Sequence, residues 1–196
     1  MVLSIEDAAR KYWMKSRHLM SYGIHIELDD KDIDYHYIKD GRELEIYFEK
    51  SRTWKDWKVD GDFIPVKYHG RIYHRGFLGV ALEAFEDLSA RYVFEDLDEI
   101  LIIGHSLGAA VSSILCDLLR DYGYTAKIDH ATFGELSNAK GPDLKEKRCN
   151  SRRYSQGIDF FVICFNLIYK HYGIDFHMIN KGSLKKNHNF NWMEKE

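Results

Sequence analysis

Residues 99–110 read E-I-L-I-I-G-H-S-L-G-A-A, and their reading decides the fold. Four apolar residues, Ile100 to Ile103, run straight into Gly104-His105-Ser106-Leu107-Gly108, and the small residues Ala109 and Ala110 follow. A short apolar run before a glycine suits a buried strand, and the small residues after the turn suit the start of a helix. G-x-S-x-G in that setting is a nucleophile elbow. The serine sits on a strained strand-to-helix turn, and the flanking positions are glycine because a Cβ there would clash. The helix N-terminus directs its N–H groups and the positive end of its dipole at the reacting centre.

Working outward, the helix that starts at Leu107 runs to Tyr122 and stops at Gly123, with a strand over Ala126–Phe133 and the core of another at Arg153–Ser155. Before the elbow strand, Phe77, Val80, Ala81, Ala84, Phe85, Leu88 and Tyr92 form one helical stripe over 77–94. Strands separated by helices predict a mostly parallel central sheet with flanking helices, an α/β fold. Ile33–Ile38 and Glu43–Phe48 alternate apolar and charged residues around Lys39-Asp40-Gly41-Arg42, which predicts an N-terminal β-hairpin at one edge of that sheet. Phe63–Tyr68 and Gly70–His74 read as short extended pieces. Ser4 caps a helix to Tyr22, with Asp7 as its third residue and Gly23 as its stop. Its face of Ile5, Ala8, Ala9, Tyr12, Trp13, Ser16 and Leu19 is suited to covering a sheet. Residues 135–152 read as a surface loop, and the last stretch, rich in His, Asn and Lys, as loops and short strands.

At 196 residues the chain fits a single domain over 1–196. Hydrophobic residues make up 45% and charged residues 30%, enough for an ordinary core. The net charge of −3 shows no basic excess, so nothing points to nucleic acid. No apolar run approaches the roughly 18 residues of a membrane span. The N-terminus lacks the basic-then-apolar order of a signal peptide. Cys116, Cys149 and Cys164 form no C-x-x-C and read as reduced thiols, Cys116 and Cys164 as core packing, so a cytoplasmic location is expected. No H-x-x-x-H or paired-cysteine spacing occurs, and the sequence predicts neither a metal nor an organic cofactor.

A serine on an elbow needs a base, and the base needs a carboxylate to orient it, because the hydroxyl pKa lies far above neutrality. Where such elbows act, the chain order is nucleophile, acid, histidine, so the partners lie after Ser106. Asp117 and Asp121 fall on the following helix and Asp129 within a strand. Asp159 follows a strand end and a glycine and precedes the apolar run Phe160–Phe165, which is where this type of sheet keeps its chemistry. The histidines are His171, His177 and His188; His130 precedes the acid and fails on order.

Four stretches together resemble the class 3 (fungal-type) lipases, a group of α/β-hydrolases. Ile102–Ala110 resembles their nucleophile motif, with Ala109 where glycine is usual. Tyr73-His74-Arg75-Gly76-Phe77 resembles their V-H-x-G-F entry into the helix before the elbow, and Ala131-Thr132-Phe133-Gly134 their Y-T-F-G strand end. Ile46–Trp57 looks like their F-R-G-S/T stretch followed by a D-W or N-W helix, with Glu49-Lys50 in place of Arg-Gly. The resemblance implies an α/β-hydrolase fold with Ser106 as nucleophile, Asp159 as triad acid, and Ser51 and Leu107 as the oxyanion hole. It puts the catalytic histidine in a late loop followed by aromatics, which favours His188 over His171. Trp54 and Trp57 fall where the family carries its lid. With Phe160 and Phe161 they would contact an acyl chain, and His105 is assigned to substrate binding.

The expected function is a serine esterase or lipase that cleaves carboxylic esters through an acyl-enzyme. The substrate would be a small ester or a lipid, with transient contact at a lipid surface. Two alternatives stay open: a hydrolase-fold protein used for binding or assembly, motivated by Glu49-Lys50, and acyl transfer to an acceptor other than water.

Overall fold

The computed structural model describes residues 4–28, 33–50, 64–91, 94–136, 139–140, 149–156, 174–178 and 193. Among them a seven-stranded sheet runs β1-β2-β3-β6-β7-β9-β10. Its strands are β1 (Ile24–Leu28), β2 (Ile33–Asp40), β3 (Glu43–Phe48), β6 (Glu99–His105), β7 (Lys127–Phe133), β9 (Asn150–Gln156) and β10 (Ile174–Met178). From β3 onward every pairing is parallel, while β1, β2 and β3 are joined antiparallel. The expected hairpin is therefore β2–β3, turning at Gly41, whose φ of 55° is left-handed. β1 extends it outward and was not foreseen; it pairs on one side only, and Ile24 is left exposed.

Helices cover both faces. On one, α1 (Ile5–Tyr22) lies over Tyr47, Ile103, Ala131, Phe133 and Tyr154 through Ala9, Trp13 and Leu19. Ser4 caps it as expected, its hydroxyl accepting the Asp7 N–H at 3.1 Å. Ile5, expected on the buried face, is 46% exposed, because the helix meets the sheet only from its second turn. Gly23 ends the helix without a left-handed φ: it is at −74°, and a Cβ there would lie 2.5 Å from the Leu19 carbonyl oxygen. It is a close-approach glycine at the step into β1.

On the other face α2 (Arg75–Arg91) and α3 (Leu107–Asp121) pack against Tyr35, Tyr37, Ile46, Phe48, Ile100, Ile102 and Ile128. Every α3 residue from Leu107 to Leu119 is buried, as expected of a helix apolar nearly all round that lies between a sheet and a second helix. β4 (Pro65–Tyr68), β5 (Arg71–His74) and β8 (Ala139–Lys140) form a separate three-stranded sheet. Pro65 can open β4 because a first strand residue need not donate to the ladder. β8 and the start of β9 correct the expectation that 135–152 is all loop. No helix among the described residues is long and apolar enough to cross a membrane.

Candidate active site

Parallel register brings the ends of four strands to one edge. Phe48 of β3 pairs with Gly104 of β6, His105 with Phe133 of β7, and Phe133 with Tyr154 of β9. Ser106 sits at this edge, between β6 and α3, with φ 57° and ψ −120°. Such backbone costs a non-glycine residue about 1–3 kcal/mol and is kept only where its surroundings enforce it. Three contacts do so here. The Ser106 N–H donates to the Phe133 carbonyl at 2.9 Å. A Cβ on Gly104 would lie 2.5 Å from Ala109 Cα, and one on Gly108 would lie 2.2 Å from the Glu49 carbonyl oxygen. The glycines expected from the motif are thus required by backbone meeting backbone, and Ser106 is less buried than the residues beside it.

Leu107 and Gly108 form the first turn of α3, where helix N–H groups have no acceptor within the helix, beside the end of β3. The chain leaves β3 through Glu49, which departs from the family pattern. Its carboxylate pairs with buried His36, on which His25 stacks at 4.6 Å, and its N–H donates to the Asp34 carbonyl at 3.0 Å. Glu49 is thus tied to β2 just past the end of β3, a role the sequence did not reveal because His36 lies on the neighbouring strand.

Beneath the elbow is a polar layer that the sequence reading also missed. Glu135 follows β7 and is 2% exposed; Ser113 of α3 and Thr132 of β7 both donate hydroxyls to its carboxylate. Burial pushes the Glu135 pKa up, while Arg153, His130 and the two hydroxyls pull it down. These bonds tie the second turn of α3 to the end of β7, so the elbow is held from both sides. The signal was slight: a lone Glu directly after the T-F-G stretch at the strand end.

His105 is not a ligand-facing residue in this structure. It is 2% exposed and points to the α1 side, its ring edge-on to Trp13 at 5.2 Å. Strand alternation decides this: with Ile100 and Ile102 facing α3, Leu101, Ile103 and His105 face α1. Ser51, Trp54, Trp57, Asp159, Phe160, Phe161, His171 and His188 lie outside the described residues. A cleft of about 440 Å³ under α1, lined by Lys11, Lys15, Glu43, Glu99 and Lys127 among others, sits at the opposite end of the parallel strands from Ser106.

A strained serine between a central strand of a mostly parallel sheet and a buried helix is the arrangement of the α/β-hydrolase fold. Solved structures with this fold include a Rhizomucor miehei triacylglyceride lipase (20% identity, TM-score 0.65, covering 79% of this chain and 64% of that one). A lipase from Rhizopus microsporus var. chinensis matches at 13% identity and TM-score 0.67, covering 87% and 71%. A triacylglycerol lipase whose catalytic centre is described as a serine protease triad matches at 18% identity and TM-score 0.64, covering 79% and 64%. At these identities the likeness is one of fold, and the chain spans 64% of the length of two of the three. No protein-family model and no curated protein matches the sequence.

Proposed function

We propose that the protein is a serine hydrolase of carboxylic esters, of the lipase or esterase type. The observation that carries this reading is the elbow. Ser106 is held at φ 57° by two backbone contacts that only glycine permits, at the strand edge where parallel α/β sheets bind their ligands. Lipases among the structures of the same fold support it.

In the proposed reaction the Ser106 Oγ attacks the ester carbonyl carbon and His188 takes its proton. Asp159 orients the imidazole and stabilises its charged form. The N–H groups of Leu107 and Ser51 bind the oxyanion, and each such donor is worth on the order of a hundredfold or more in rate. The alkoxide leaves with the proton from His188, and water, activated by the same base, releases the acid. β9 ends at Gln156 and β3 at Phe48, both at the edge that carries Ser106, and Asp159 and Ser51 each follow three positions later in the sequence. Trp54, Trp57, Phe160 and Phe161 belong to this reading as acyl-chain contacts, and a lipid surface as a transient partner. A cytoplasmic setting belongs to it through the cysteine usage.

The test is fluorophosphonate labelling together with hydrolysis of p-nitrophenyl esters of increasing acyl length. Activity and labelling should vanish in Ser106→Ala, activity should vanish in His188→Ala, and His171→Ala should retain it. A folded wild type that neither labels nor turns over any ester would replace this reading with a binding role, the alternative that Glu49 motivates.

A further inference from the structure

One cluster of chemistry-bearing side chains has no part in the proposed reaction. Cys116 on α3, His130 on β7 and Cys149, the residue just before β9, converge behind the elbow, and their donor atoms all lie within 4.8 Å of one another. Cys116 and His130 are fully buried and Cys149 partly so. The two sulfurs are hydrogen-bonded to each other.

The imidazole is oriented by its neighbours. Ser112 donates its hydroxyl proton to the Ala109 carbonyl at 2.8 Å, so it faces His130 Nε2, 2.9 Å away, as an acceptor. Nε2 therefore carries the proton and Nδ1 the lone pair. The neighbour of Nδ1 is the Ser151 hydroxyl at 2.9 Å, a rotor that can turn away. An outer hydroxyl that fixes the tautomer and leaves one ring nitrogen free to donate is the arrangement found around metal-bound histidines.

We propose that Cys116, His130 and Cys149 form a binding site for a thiophilic divalent cation of the zinc type. Two thiolates balance the charge of a 2+ ion, which matters at a buried position, and S₂N is a donor set suited to zinc, with the fourth position taken by water. Binding releases to solvent whatever protons the two thiols hold, breaks no other covalent bond, and replaces the sulfur–sulfur and Nδ1–Ser151 hydrogen bonds with bonds to the cation. The ion would pin α3 to β7 and to the start of β9. Since Ser112 packs where a Cβ on Gly104 would lie, 2.5 Å away, it would rigidify the elbow from beneath. This proposal stands apart from the esterase reading, because none of the three ligands belongs to the triad or the oxyanion hole.

The test uses the full chain, kept reduced with a non-thiol reductant and titrated with Co²⁺ and then Zn²⁺. The expected result is one Co²⁺ per chain with thiolate-to-cobalt charge-transfer absorption, displaced by one equivalent of Zn²⁺, and a melting temperature that rises with Zn²⁺. Cys149→Ser and His130→Asn should each weaken binding at least tenfold and diminish the absorption. Cys164→Ser should leave it unchanged, as should His36→Ala, which alters the other histidine cluster. Cys149→Ser is the primary variant because its site is partly exposed, whereas Cys116→Ser alters the core. A folded wild type without thiolate charge transfer overturns the proposal. So do absorption unaffected by Cys149→Ser and a thiol count showing Cys116 and Cys149 joined as a disulfide under the reductant.

Discussion

At the strand end that carries Ser106, the two faces of the central sheet are closed by different kinds of contact. Against α3 the contacts are backbone on backbone: Gly108 meets the Glu49 carbonyl, Gly104 meets Ala109, and hydroxyls of Ser112 and Ser113 fill the polar spaces. Against α1 they are ring on ring. Trp13 is edge-on to both His105 and Phe133, and Phe133 stacks on Tyr154 at 5.3 Å. Both lie beside the same strand end. Farther from this edge the first face holds the larger apolar cluster, but at the edge it brings a helix terminus so close to the strand that Gly104 and Gly108 leave no room for a Cβ. The second supplies apolar area, and it tolerates no loss.

The largest expected effect is on the aromatic face. Trp13→Ala should cost about 3–5 kcal/mol of stability, read from urea midpoints, as for other buried aromatics truncated in cores. A cost under 1 kcal/mol would show that α1 is not the element closing that face. On the opposite face Gly108→Ala adds a single methyl and should still cost about 3 kcal/mol, the upper end for overpacking, and abolish fluorophosphonate labelling. If Gly108→Ala labels normally, the close approach of Glu49 to the helix start is not what sets the elbow.

Farther along α3, Asp117 sharpens the comparison through pH. Its carboxylate accepts the Tyr73 hydroxyl at 2.9 Å and lies near Arg71, yet burial raises its pKa to about 6. A raised carboxylate pKa means the folded chain holds the proton more tightly than the unfolded one. Its contribution is therefore fully present below about pH 4 and lost as pH rises through 6. Relative to Asp117→Asn, the wild type should lose roughly 2–3 kcal/mol between pH 4 and pH 7. Parallel stability curves for the two proteins would show that burial does not raise the Asp117 pKa.

The smallest expected effect has the opposite sign. Ser106→Gly removes the proposed nucleophile and also the strain at φ 57°, so it should abolish the proposed ester hydrolysis while raising stability by about 1–2 kcal/mol. A destabilised Ser106→Gly would mean that the elbow is not strained and that its hydroxyl contributes to the fold.

Much of this architecture was legible in order along the chain. Ile100–Ile103 followed by G-x-S-x-G gave the strand, the turn and the helix together, because each of the three has its own local signature. The Ser4 cap and the β2–β3 hairpin are equally local. β1 escaped notice because it is a short edge strand, and β8 because two residues carry no pattern. The burial of His105 against Trp13 was not legible, because motif membership says nothing about which face of the sheet a side chain takes. The metal reading was set aside for want of a spacing motif. Cys116, His130 and Cys149 lie 14 and 19 positions apart and meet only because α3, β7 and β9 are neighbours.

The order of amino acids already encoded the strand–turn–helix elbow around Ser106, the succession of strands and helices beside it, and the glycines at 104 and 108, since these follow from turns and periodicities within a few residues. Tertiary structure alone decided which buried groups meet: Glu49 with His36, Glu135 with Ser113 and Thr132, Trp13 with His105, and the two cysteines with His130. The physical reason is that a buried polar or aromatic group is satisfied by whatever the packing of distant elements brings within reach, and no local pattern records that partner.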